Sequence, residues 1–425
     1  MTPDSALGAK VSAEETLRGI VGPEHVRAGE AGDVVAGVPA QLVVEPGNES
    51  ELAAVLRYAN ENDLRAAPRG GGTKLSWGNP PARVDVIVST ARLDQIIEHA
   101  WTDMTVTVEA GCTMRILQER LAQHGQRLAL DALWAERATV GGVVSANDSG
   151  ALRLRFGGLR DLIIGVTLAL PDGTLARSGG KVVKNVAGYD LPKLATGALG
   201  TLGVITRATF RLHPMPKNAR TLSISAPGLA EMQHCLAAIQ DSQLAPSAVQ
   251  ARISEQTPPE IDVLFEGTPQ GLDAQEARLH DLAEPMPLAQ GDSAVWAARE
   301  RLWLNAKAAA IAKVSLLPAE IATVFDTVRR LASEHGANWA AVVQATGLGL
   351  LRLEGPPEAL HASLEDLRDV LERDGGSLVV LSHPIEMSPL DAWGSNGDAE
   401  PLMRAIKRQL DPKSTLNPGR FVGGI

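Results

Sequence analysis

Two periodicities interleave along the first half of the chain. Residues 41–45 (QLVVE) read as a strand, and the stretch 48–62 then sets Leu52, Val55, Leu56 and Ala59 at helical spacing. Asn48 or Ser50 can cap that helix by accepting from an early backbone N–H. Residues 64–67 turn extended again and run into Pro68-Arg69-Gly70-Gly71-Gly72-Thr73. The segments 84–89 (VDVIVS) and 104–109 (MTVTVE) alternate as strands do, whereas 113–124 (TMRILQERLAQH) is amphipathic with a helical period. Residues 140–150 have the texture of a glycine-rich loop. Pro171-Asp172-Gly173 lies between the apolar runs 162–170 and 174–177 and predicts a hairpin. A short helix is expected over 188–197 and a strand over 204–212, before Pro214 and Pro216 punctuate the chain.

The second half has another character. Helical runs are expected near 229–239, 274–282, 295–312 and 360–371, with strands at 261–265, 340–343, 348–353 and 377–381. That mixture predicts a separate α+β lobe. The stretch 410–425 returns to proline and glycine in DPKSTLNPGRF.

Length and composition narrow the class. A chain of 425 residues suggests about three lobes. With 44% apolar and 21% charged residues it can bury sizeable cores, which excludes disorder, a collagen-like repeat and a coiled coil. A net charge of −10 argues against broad affinity for nucleic acid or anionic membranes. Aromatics make up only 3% while there are 41 glycines, so backbone rather than ring cages should dominate any binding site. Cys112 and Cys235 form no Cys-x-x-Cys unit, leaving a disulfide framework, a zinc site or an iron–sulfur cluster without ligands. The first 22 residues carry Asp4, Glu14 and Glu15 and no apolar core, so a secretory leader is not expected. The longest apolar stretch is about half a membrane span. A soluble cytoplasmic chain, or a soluble subunit peripheral to the inner membrane through partners, is the expectation.

The candidate chemistry is glycine-borne. In Arg69-Gly70-Gly71-Gly72-Thr73-Lys74, successive N–H groups can face one anion without obstruction by Cβ atoms. Thr73 can add a hydroxyl, and Arg69 or Lys74 can add charge. The loop fits neither the G-x-G-x-x-G fingerprint nor the Walker A pattern. A second cluster, Thr139-Val140-Gly141-Gly142, is followed by Ser145, Asn147, Asp148 and Gly150, and a third runs from Gly197 through Gly200 to Gly203-Val204-Ile205.

Taken together, PRGGGTKLSWG (68–78), TVGGVVSANDSG (139–150), KNVAGYDLPKLATGALGTLGVIT (184–206) and LNPGRF (416–421) resemble the FAD-binding domain of the vanillyl-alcohol oxidase/PCMH flavoprotein superfamily. Within it, the first and third motifs look most like the FAD-binding subunits of glycolate oxidase (GlcE type). The resemblance implies an α+β chain with a PCMH-type FAD-binding domain of two α/β subdomains and a C-terminal α+β cap. The implied boundaries are an N-terminal extension 1–40, an FAD domain 41–215, a cap 216–405, and a tail 406–425 that returns to the FAD domain. It implies cofactor contacts from Pro68, Arg69, Gly70, Gly71, Gly72 and Thr73 to the pyrophosphate. Gly141, Gly142, Ser145, Asn147 and Gly150 would lie near the flavin, Gly203, Val204 and Ile205 at the adenine, and Asn417 would return to the flavin. No histidine stands in the first loop, so non-covalent FAD is expected.

Two departures bear on chemistry. None of the nine histidines forms His-x-His, so the metal and histidine base of many 2-hydroxyacid dehydrogenases are not expected. Arg299 and Lys313 resemble, respectively, an arginine and a lysine that relatives use on the substrate; solvated helix charge is the alternative for both. Lys184 and Tyr189 lie near the flavin motifs, with structural roles as the alternative. The resemblance thus implies the FAD subunit of a complex oxidising glycolate to glyoxylate, with a second FAD subunit and an iron–sulfur subunit as partners. The alternatives are an autonomous D-2-hydroxyacid dehydrogenase and a subunit whose flavin is structural.

Overall fold

The computed structural model describes residues 4–180 and 189–425. The chain divides into two compact units: 1–148, 158–214 and 396–425 form the first, and 149–157 with 215–395 form the second. The segment 396–405, expected in the cap, therefore belongs with the tail.

In the first unit one sheet orders its strands Val26–Ala28, Val38–Val44, Val84–Ser89 and Ala66–Arg69. Val84–Ser89 pairs in parallel with both Val38–Val44 and Ala66–Arg69. Parallel strands need a crossover. The helix Glu49–Glu61 supplies one, capped by Asn48, whose side chain accepts from Glu51 N at 3.0 Å. Its Leu52, Val55, Leu56 and Ala59 pack with Val44, Val86 and Val88. Residues 84–89 are buried throughout, so their alternation does not mark a wet face. Asp85 is tolerated there because Arg65 N, Gln41 Nε2 and Arg83 Nε all donate to it. The stretch expected as an extension enters this layer too: Val26–Ala28 pairs with Val38–Val44, and Leu17 of the helix Asp4–Val21 is fully buried.

The second sheet of this unit is antiparallel, ordered Leu175–Gly179, Ile163–Ala169, Val204–Arg211, Thr105–Glu109, Ile96–Ala100. The expected hairpin forms, and Asp172 accepts from Thr174 N inside its turn. Residues 140–150 depart from expectation, because Val140–Ala146 is a helix. Thr139 caps it, and Val140, Val143 and Val144 enter the core beside Val106, Leu117 and Phe210. Packing overrides the poor helix propensity of the two glycines. The helix ends at Asn147, in left-handed conformation.

The second unit is an eight-stranded antiparallel sheet. The helices Leu229–Asp241, Pro269–Ala283, Ile321–His335 and Pro357–Arg373 all bury their apolar sides in the core against one of its faces. The other face carries Ser223, Gln250, Arg252 and Asp262 at alternate positions. The helix expected over 295–312 is overturned in its second half: a short helix Ala298–Arg301 gives way to the strand Ala309–Ser315. Alanine favours helix locally, but Ala310, Ala312 and Val314 enter the core at a period of two. The pattern also missed the strands Ala219–Ser225 and Ala248–Ser254 and the helices Ile321–His335 and Glu400–Leu410. No described helix is long and apolar enough to cross a membrane.

Candidate cofactor site

Four distant segments of the first unit line a common cavity that is partly open to solvent. Pro68 to Thr73 form one wall where the strand Ala66–Arg69 ends. Gly141, Gly142 and Ser145 come from the Val140–Ala146 helix, and Gly203, Val204 and Ile205 from the start of the strand Val204–Arg211. Asn417 and Arg420 arrive from the tail, which joins the first sheet as Leu416 pairs in parallel with Ala66.

Of the residues read from sequence, Asn147 and Gly150 do not line the cavity. Asn147 terminates the helix with its side chain against Gly197, and Gly150 lies in the second unit. Arg299, buried on the helix Ala298–Arg301, and Lys313, on the strand Ala309–Ser315, also belong to the second unit. Tyr189 is exposed, and Lys184 lies outside the described residues. Gly200, part of the third glycine cluster, lines the cavity, as do Leu75, Thr90, Ala110, Leu199 and Arg420, which were not singled out. Of these, Leu75, Leu199 and Arg420 lie inside the quoted motifs, whereas Thr90 and Ala110 carried no sequence signal.

The loop is tight because backbone meets backbone. A Cβ on Gly71 would lie 1.7 Å from the Arg137 carbonyl oxygen. Among the described residues, the N–H groups of Gly70, Gly71, Gly72 and Thr73 make no backbone hydrogen bond. Unused loop donors of this kind suit a phosphate.

The cations expected to help are already engaged. Arg69 pairs with Asp33 at 2.5 Å, and Asp33 also takes Arg27 at 2.5 Å and Glu30 N at 2.9 Å. Hydrogen bonds from Arg27 first and then Arg69 hold the Asp33 carboxyl well below the usual carboxylate range, against its burial. Lys74 pairs with Asp148 at 3.2 Å, with its ammonium 5.6 Å from the Trp77 ring and 5.2 Å from the Trp134 ring. Arg420 is 3% exposed and donates to the carbonyls of Leu75 and Trp77. Burial pushes its pKa down to about 10, so it stays charged at neutral pH.

The Asp33 pair sets a pH dependence. Because its folded pKa is depressed, its stabilisation is present above the unfolded value near 4 and fades as pH falls below that. Asp33→Asn should lower stability at pH 7 by about 1–2 kcal/mol, the scale of a lost charged hydrogen bond. The deficit should shrink in melts at pH 3; an equal deficit at both pH values would refute the ion-pair reading.

The donor set fits FAD. The loop offers bare N–H groups to a diphosphate, and Asn417 Oδ1 is buried with no partner, an acceptor awaiting an N–H or O–H. Among the described residues no group of three or more His, Cys, Asp or Glu gathers as a metal site.

Comparison with known proteins agrees with this geometry. The FAD binding domain family matches residues 40–179, and the C-terminal domain of FAD linked oxidases matches 395–421. D-lactate dehydrogenase of Archaeoglobus fulgidus is 29% identical over 90% of this chain and 91% of its own length. Glycolate oxidase subunit GlcD of Bacillus subtilis is 32% identical over 49% of this chain and 46% of that protein. The structure of p-cresol methylhydroxylase with substrate bound covers 97% of this chain and 96% of its own at a TM-score of 0.77, with 16% identity.

Proposed function

We propose that this chain, whose residues 40–179 match the FAD binding domain family and 395–421 the C-terminal domain of FAD linked oxidases, is an FAD-dependent oxidoreductase acting on small 2-hydroxyacids. One observation carries the substrate class: the D-lactate dehydrogenase of A. fulgidus aligns along nine tenths of this chain. Bound FAD supplies the two-electron acceptor that such an oxidation needs, chemistry no side chain provides. The protein's share is to hold and orient it. The loop from Gly70 to Thr73 presents N–H donors, Asn417 presents an acceptor, and the apolar Val204 and Ile205 line the cavity.

The finer reading is a flavin subunit of a glycolate-oxidising complex that converts glycolate to glyoxylate and passes electrons to a second flavin subunit and an iron–sulfur subunit. Its support is the GlcE-like motifs, the similarity to GlcD and the lack of His-x-His in the sequence. In either setting Arg299 is our candidate for the substrate carboxylate, as its fork matches that group, with Lys313 a second candidate. A free-standing D-2-hydroxyacid dehydrogenase is the second reading, favoured by the end-to-end match to the A. fulgidus protein.

The test is anaerobic titration of the flavin with glycolate and D-lactate. The chain alone should keep its absorbance and the complex purified with its partners should lose it on adding glycolate. Bleaching of the isolated chain supports the autonomous enzyme. If no 2-hydroxyacid bleaches either preparation, the substrate class is wrong.

A further inference from the structure

A buried ammonium outside the cavity governs its tail wall. Lys407 sits on the helix Glu400–Leu410 and is 4% exposed. An ammonium has three protons to place, and this one donates to Thr201 O at 2.7 Å, Leu416 O at 2.9 Å and Asp411 Oδ2 at 2.6 Å. Asp411 in turn accepts from Thr415 N and Leu416 N, each at 2.8 Å. Lys407 and Asp411 thus form a closed knot, and its two carbonyl partners belong to two segments that wall the cavity.

The knot ends one bond from Asn417. The Leu416 carbonyl gripped by Lys407 belongs to the peptide whose N–H, on Asn417, donates to Ala66 O at 3.0 Å. That peptide plane is therefore pinned from both sides. Asn417 takes a left-handed φ of 43°, and its Nδ2 donates to Leu199 O at 2.7 Å. With backbone and amide nitrogen both committed, Oδ1 is the one polar atom left, buried and unpartnered.

We propose that Lys407 is a positioning residue for the cofactor: by fixing the Leu416–Asn417 peptide against the segment of Thr201, it aims Asn417 Oδ1 at a hydrogen-bond donor of bound FAD. An acceptor oxygen repels phosphate, so the donor is an N–H or hydroxyl of the flavin, ribityl, ribose or adenine portion. The proposal rests on FAD occupying the cavity and not on the substrate.

A double-mutant cycle on FAD affinity tests it. Apoprotein of the full chain, and of Lys407→Met, Asn417→Ala and the double variant, is titrated with FAD by flavin fluorescence, and thermal melts record stability separately. Each single change should weaken FAD binding by about 10–100-fold. The double variant should be no more than about threefold weaker than the weaker single one, because without Oδ1 there is nothing for Lys407 to aim. Multiplying losses would make Lys407 a stabiliser of the fold only and overturn the proposal, as would Lys407→Met that melts early yet binds FAD like wild type. Should Lys407→Met fail to fold, Asp411→Asn replaces it in the same cycle, loosening the ammonium at nearly constant volume. Wild-type apoprotein that does not take up FAD would instead remove the cofactor assignment on which the cycle stands.

Discussion

Gly71→Ala protein is expected to purify without its yellow colour. The added methyl would sit 1.7 Å from Arg137 O and 2.8 Å from the same carbonyl carbon. Both are backbone atoms, so no rotamer change relieves the clash. The opposing segment cannot yield cheaply either, since Arg137 N and Ala138 N both bond to Trp134 O and Ala138 O receives Met114 N. The glycine loop must move away and take its N–H groups off their target. A loss of at least about 100-fold in FAD affinity, some 2.8 kcal/mol, is expected. Gly71→Asp should be worse, because it adds a carboxylate facing a diphosphate. Gly72→Ala is the control. Its Cβ meets nothing nearer than 3.9 Å, and the cost is that of a left-handed φ of 72°, about 1–2 kcal/mol. That variant should stay largely yellow. The ratio of flavin to protein absorbance measures all three, and a fully loaded Gly71→Ala would place the cofactor elsewhere.

Asp262→Ala should be the most damaging single polar change in the second unit. Asp262 is fully buried and takes Arg252 Nε at 2.8 Å, Arg252 NH2 at 3.0 Å, Gln250 Nε2 at 3.0 Å and Ser223 Oγ at 2.8 Å. One carboxylate thus satisfies donors from two neighbouring strands. Removing it takes a buried acceptor from Arg252, which keeps Glu260, from Gln250, which keeps Val295 O, and from Ser223 at once, a loss of about 2–3 kcal/mol. Arg252→Ala should cost less, because the Arg252 side chain is 27% exposed and Asp262 keeps Gln250 and Ser223. Asp262→Asn should fall between them. Chemical denaturation ranks the three, and Arg252→Ala as the worst would mean that the arginine, not the carboxylate, organises the network.

Local physics was legible in the sequence wherever it was not contested. The Asn48 cap, the 84–89 strand and the Asp172 turn each depend on neighbours within a few residues, and each forms. Where tertiary packing opposes local preference the reading failed. Gly141 and Gly142 argued for loop and stand in a helix, and Ala309 to Ala312 argued for helix and stand in a strand. The glycine segments of the cavity were visible because close backbone approach excludes side chains, leaving a compositional trace. The charge pairing was not. Arg69 with Asp33, Lys74 with Asp148 and Lys407 with Thr201 join residues 36, 74 and 206 positions apart, and nothing in the spacing of a lysine or arginine tells which distant oxygen it will meet.

The interrupted chain path of the first unit has a consequence in time. Asn417 leaves the ribosome about 200 residues after Pro214, with nearly the whole second unit made in between. At roughly 5–20 residues per second that interval is about 10–40 s. Throughout it the nascent cradle already has its glycine loops but neither the acceptor of Asn417 nor the Lys407 knot behind it. Stable capture of FAD is therefore a late event in biogenesis, and a ribosome stalled within the second unit would hold an open site rather than a flavoprotein.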